Sequence, residues 1–143
     1  PYFIERKYDT EMDYVYQALK SNPVMKNKIT ISNDSEWVEI VFHEYLTIKG
    51  STYGNGIFLI NDNLTHVHLE YPDDAIKEIS DIANGEWILI ENRRKLSILV
   101  FSIIQPWNLK IMKKEKFAIK KDKYMKKKYL RIYSGKEIIK RTK

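Results

Sequence analysis

The sequence predicts an α+β fold, a single domain spanning residues 1–143, with two helices packed on a mostly antiparallel sheet of about five to seven strands. Three observations predict it. Two segments carry apolar residues at helical spacing between recognisable stop and start signals. Short segments rich in β-branched and aromatic residues alternate with turn signals. The stretch Trp87 to Ile104 holds the longest apolar run of the chain, Leu96 to Ile104 (LSILVFSII), at strand rather than helix composition. Leu96, Ile98, Val100 and Ile104 share one face of that run, and Leu99, Phe101 and Ile103 the other. A strand covered on both sides loses its polar alternation, so this run is the expected central strand, entered through a turn at Asn92-Arg93-Arg94-Lys95. It is far shorter than the roughly 20 apolar residues that a membrane span requires.

In chain order, Tyr2-Phe3-Ile4 reads as a short edge strand. Thr10-Glu11-Met12-Asp13 resembles a capping box with Asp in place of Glu, and Met12, Val15, Tyr16 and Leu19 follow at i, i+3, i+4, i+7. Asn22-Pro23 ends that helix. Lys28 to Ser32 alternates as a strand. Trp37 to Ile48 reads as one long strand with Val38, Ile40, Phe42, Leu46 and Ile48 on one face. Glu44 falls on the same face, where an unpaired carboxylate is costly to bury, so either a bulge near His43 resets the register or the strand overruns the core there. Lys49 to Gly56 is a glycine-rich loop that fits neither the dinucleotide nor the P-loop template, since no Lys-Ser/Thr pair or helix follows it. Ile57 to Ile60 and Leu64 to Tyr71 form a hairpin across Asn61-Asp62-Asn63. Pro72-Asp73-Asp74 opens the second helix, Ala75, Ile76, Ile79, Ile82 and Ala83 form its stripe, and Asn84-Gly85 closes it. Gln105-Pro106 is expected to break the sheet, Trp107 to Met112 beyond it reads as another strand, and Tyr129 to Tyr133 with Glu137 to Lys140 as a final hairpin. Residues 113–127 fit helix, strand and unstructured chain equally.

Charge is unevenly distributed. Residues 1–105 carry 10 Lys+Arg against 16 Asp+Glu, net −6, whereas the basic C-terminal segment 106–143 carries 15 against 3, net +12. The chain has no cysteine, which excludes disulfides, thiolate metal sites and cysteine nucleophiles. No targeting segment opens it, so a cytoplasmic protein without a membrane partner is the expectation; Pro-Tyr-Phe-Ile looks like a start left by loss of an initiator Met, and the Lys, Ile, Asn and Tyr content resembles bacterial or phage coding bias.

Two groups of residues carry candidate chemistry. His66, His68 and Glu70 alternate along one strand arm and therefore project together; two imidazoles and a carboxylate suit a hydrolytic metal, or two histidines an acid–base pair in RNA cleavage. The plainer reading is the solvated face of a half-exposed strand. His43 and Glu44, being adjacent in a strand, point to opposite faces and make a poor dyad. No nucleophile elbow or kinase signature is present. The basic segment is the second group. Lys126, Lys127, Lys128, Arg131, Lys140 and Arg141 would neutralise phosphates, and Tyr129 and Tyr133 would stack on bases, with Tyr129, Arg131 and Tyr133 forming an aromatic-basic-aromatic row; Trp107, Phe117 and Tyr124 are further stacking candidates. Against this stands a lysine-rich solvated surface that pairs with the acidic body.

From these observations the expectation is a non-enzymatic binding protein engaging RNA or DNA, or an acidic protein, through its basic C-terminal surface. No cofactor or metal is called for. The alternatives are a small inhibitor or immunity-type protein that blocks a partner protein, and a ribonuclease or metal hydrolase using His66 and His68.

Overall fold

The computed structural model describes residues 8–98 and 101–141, with side chains throughout except in 94–98 and 101–107. The fold is α+β, with two antiparallel sheets in place of the one expected. Helix α1 spans Glu11–Lys20, and strands β1 (Ile29–Ile31), β2 (Val38–His43), β3 (Leu46–Gly50), β4 (Ile57–Ile60) and β5 (Thr65–His68) form a five-stranded meander in sequence order. Helix α2 (Pro72–Ala83) leads to a four-stranded sheet built from β6 (Trp87–Ile98), β7 (Phe101–Lys113), β8 (Leu130–Tyr133) and β9 (Ile138–Lys140), in the order β7-β6-β8-β9. A third helix, α3 (Lys114–Met125), lies between β7 and β8.

The first half follows its local signals. The Thr10 hydroxyl accepts the Asp13 N–H at 3.0 Å and caps α1, whose Met12, Val15 and Leu19 are fully buried. Asn61, Asp62 and Asn63 all adopt positive φ, the conformation that short polar side chains tolerate best, and they turn β4 into β5. Gly85, at φ 82°, ends α2. The first sheet buries Val38, Ile40, Phe42, Leu46, Ile48, Phe58 and Ile60 against α1 and α2 and turns its other face to solvent.

Several expectations are corrected. Trp37 to Ile48 is two strands: Glu44 and Tyr45 form the β2–β3 turn, and the register shifts between Val41 and His43. Glu44 is thereby delivered to the surface and its burial conflict disappears. Asn92 to Lys95 is no turn. β6 continues straight through, and β7, which also runs on through Gln105-Pro106 where a break was expected, absorbs the register shift at Asn92/Arg93 by leaving Trp107 unpaired. The run Leu96 to Ile104 is divided between the ends of β6 and β7, which pair as far as Ile98 with Phe101; Leu99 and Val100 lie outside the described residues, as does the expected strand Tyr2-Phe3-Ile4. β8 pairs with β6 only along Leu89–Asn92, so that run lies beyond the four-stranded part of the sheet.

The strand covered on both faces is instead the start of β6. Leu89, with Tyr133 of β8, joins the core of the first sheet and α2, while Ile88 and Ile90 pack with Met112, Leu130, Ile132 and the α3 residues Phe117 and Tyr124. The apolar run Trp87-Ile88-Leu89-Ile90 is the sequence trace of that double burial.

Candidate nucleic-acid interface

Helix α3 sits on the outer face of the second sheet and is held by two residues. Phe117 and Tyr124 are seven apart, share a stripe, and stack at 6.2 Å between ring centroids. Ile119, which the sequence groups with Phe117 and Ala118, is 86 % exposed. The remaining turns carry Lys116, Lys120, Lys121 and Lys123, and Lys126, Lys127 and Lys128 follow the helix end. Cations at the C-terminal end of a helix are favoured by its dipole, which gives Lys123, Lys126 and Lys127 a local reason to be there.

Between α3 and the sheet runs a cleft of about 520 Å³. Its charged side chains are Lys110 from β7, Lys123 from α3 and Lys127 from the turn after it; Asn92 and Asn108, opposite each other on β6 and β7, line it further, and no carboxylate does. The Lys110 ammonium donates to the Tyr124 hydroxyl at 3.3 Å, and Lys127 lies 5.7 Å from the Tyr124 ring. Burial acts to raise the Tyr124 phenol, but the Lys110 hydrogen bond and the charges of Lys110, Lys120 and Lys123 prevail and hold it below its ordinary value. Among the described residues, Lys116, Lys120, Lys121, Lys123, Lys126 and Lys128 form no ion pair with a carboxylate.

The eight residues predicted from sequence divide sharply. Lys126, Lys127 and Lys128 are exposed, and Lys128 covers the half-buried Tyr129 ring at 5.3 Å. Arg131 and Tyr133 do share a face with Tyr129, but that face turns inward, which corrects the expected exposed row. Tyr133 is fully buried; its hydroxyl donates to Glu91 Oε1 at 3.0 Å and accepts from Asn61 Nδ2 at 2.7 Å. Burial, with the Glu91 carboxylate beside it, drives its phenol far above the usual range. Arg131 stands opposite Glu91 on β6, lies 3.6 Å from its carboxylate, and stacks on Tyr45 at 4.2 Å. Lys140 donates to the Lys127 carbonyl, and Arg141 pairs with Glu44. Phe117 and Tyr124 are buried beneath α3, and the Trp107 side chain lies outside the described residues.

The inward face forms a second polar centre. Glu91, with 4 % of its side chain exposed, accepts from Arg93 Nη1 at 2.8 Å as well as from Tyr133, and the Arg93 side chain is 10 % exposed. Beside it, His43 is fixed at both nitrogens. The Tyr45 N–H can only donate, so Nδ1 accepts it at 3.1 Å and the ring proton resides on Nε2, which donates to the Ser134 carbonyl at 2.7 Å. Burial is the main cause holding the His43 imidazole below its ordinary value. These groups tie the β2–β3 turn and the Asn61 turn to β6 and β8.

His66 and His68 do project together from the outer face of the first sheet, ring centroids 5.1 Å apart. Glu70 falls past the end of β5. Among the described residues, no three His, Asp or Glu side chains converge as a metal site.

Neither Lys110 nor the Asn92–Asn108 pair is singled out by the sequence, because only the β6–β7 register brings them beside α3. Among the described residues no helix is long and apolar enough to cross a membrane. No protein-family model, curated protein or solved structure matches the chain.

Proposed function

We propose that this chain is a binding module without catalysis of its own that engages an anionic macromolecule, RNA or DNA, along α3 and the cleft beneath it. The supporting observation is the cleft itself: Lys110, Lys123 and Lys127 converge there with two amides and no carboxylate. A lysine surface that served only solubility would have no reason to gather around a concavity. Lysine supplies compact point charge rather than forked readout, so the contact is with the phosphate backbone and carries little sequence preference. The first part of the chain, net −6 over residues 1–105, disfavours an anion elsewhere on the surface.

The test is fluorescence anisotropy with a labelled single-stranded oligonucleotide across a salt series. Each phosphate contact contributes about −0.7 to the slope of log K against log salt for a single strand. Replacing Lys110, Lys123 and Lys127 together by Ala should flatten that slope by about 2. Affinity independent of salt, or a slope unchanged in the triple variant, refutes the reading.

The inhibitor or immunity-type alternative draws on a different surface, an apolar cleft beside β5. A stoichiometric protein partner and no nucleic acid, recovered in a pull-down from the native host, would favour it.

A further inference from the structure

A cleft of about 530 Å³ opens beside β5, with Ile111 of β7 in its lining where the neighbouring Lys110 lines the lysine cleft. Phe58 and Ile60 of β4 and Ile79 and Ile82 of α2 contribute apolar lining, with Trp87 and Ile111 from the second sheet. Glu70, Asp74 and Glu78 also line it, no lysine or arginine does, and none of the three forms an ion pair among the described residues. Asp74 and Glu78 are four apart on α2, a spacing at which like charges repel.

Val67, His68, Leu69 and Glu70 line the same cleft, which therefore follows the outer edge of β5. In the described sheet β5 pairs with β4 alone. The Leu69 N–H donates to the Gly56 carbonyl at 2.6 Å, and the register pairs Phe58 with Val67 and Ile60 with Thr65. Bonded and non-bonded pairs alternate in an antiparallel ladder. The pairs opposite His66 and His68 are accordingly the non-bonded ones, and the backbone N–H and C=O of both histidines turn to the edge that no described strand covers. No charged side chain or proline lies within β5; its shortness, four residues, is the one usual protection of an exposed strand that it carries.

We propose that this edge is a strand-addition site for an extended segment of a partner protein. The segment pairs with His66 and His68 through its backbone, inserts apolar side chains at alternate positions into the cleft, and brings a Lys or Arg to Glu70, Asp74 and Glu78. Main-chain bonds supply affinity in such a mode and the side-chain pockets supply specificity. The three carboxylates fix the charge of the partner. This site is independent of the lysine cleft, and failure of oligonucleotide binding leaves it standing.

The experiment selects binders from a displayed library of random nonapeptides. Expected are sequences with apolar residues at alternate positions and at least one Lys or Arg, whose binding shifts the amide resonances of His66 and His68. His66→Pro removes an edge donor that the β4–β5 ladder does not use, a substitution that edge strands accept. It should weaken the selected peptides at least tenfold. Asp74→Asn with Glu78→Gln, which lies outside the strand and relieves repulsion, should weaken them similarly. Recovery of no binders, of binders without alternation or basic residues, or of binders indifferent to both variants overturns the proposal. So does self-association of the protein that His66→Pro abolishes, because a second copy would then be the occupant.

Discussion

Replacing Glu91 by Gln isolates the charge at the centre of the inward polar cluster. The Glu91 carboxylate meets Arg93 at 2.8 Å and Arg131 at 3.6 Å, with 4 %, 10 % and 22 % of the three side chains exposed. At an effective dielectric of about 20, each contact is worth about 5 kcal/mol of gross attraction. Desolvation offsets most of that in the wild type, so the cluster adds little net stability as a whole. Removing the carboxylate is different, since Arg93 and Arg131 then lose the buried anion that they share. Losses of about 3 to 5 kcal/mol follow from breaking such a pair. For a chain of this size that lowers Tm by roughly 10 to 20 °C. Glutamine keeps the shape and still accepts the Tyr133 hydroxyl, so the loss reports charge rather than packing. Urea denaturation of Glu91→Gln, Arg93→Gln and the double variant measures it. The double variant should be more stable than the sum of the single losses implies, by at least about 1.5 kcal/mol. A single-variant loss under about 1 kcal/mol, or strict additivity, refutes the reasoning.

Three further outcomes are expected. The His43 imidazole is held below its ordinary value by burial, so the folded state binds fewer protons than the unfolded chain; stability is present above the unfolded value of about 6.5 and falls as pH drops below it, and the urea midpoint of His43→Gln should lose that dependence. Tyr133 is displaced the opposite way, so its contribution is complete below the unfolded phenol value of about 10 and is lost as pH rises above it; absorbance titration should show one tyrosine that ionises only on unfolding, and Tyr133→Phe should abolish that late step. A Cβ on Gly135 would stand 2.6 Å from Ala83 Cα, where the Gly135 N–H bonds the Ile82 carbonyl at 2.9 Å, so Gly135→Ala should cost about 1 to 3 kcal/mol by forcing the β8–β9 turn off α2, measured by thermal unfolding.

Much of the first half is written locally. Thr10 caps α1, Pro72 and Gly85 bracket α2, and the Asn61-Asp62-Asn63 turn sets the β4–β5 register. Each depends on dihedral preference or side-chain capping within a few residues, which the chain carries whatever surrounds it. Helix α3 lacks such a signal. Its lysines suit any solvated segment, and Phe117 and Tyr124 become a stripe only because Ile88, Ile90 and Leu130 offer a surface for them. The strand signals in Trp37 to Ile48 and Trp87 to Ile104 were legible as β structure but not as boundaries, because β pairing is settled by the partner strand.

For the candidate sites, the sequence by itself determined the charge division, the absence of thiol chemistry and the shared face of His66 and His68. Composition and the twofold period of a strand require nothing more. Only the tertiary structure decided which cations meet a carboxylate and which, among the described residues, meet none. Arg131 and Tyr133 look as exposed in the sequence as Lys126 and Lys127, yet Glu91, forty residues before Arg131, draws them inward. A buried polar group must find its complement wherever the sheet register places one, and register between distant strands is a property of the assembled fold.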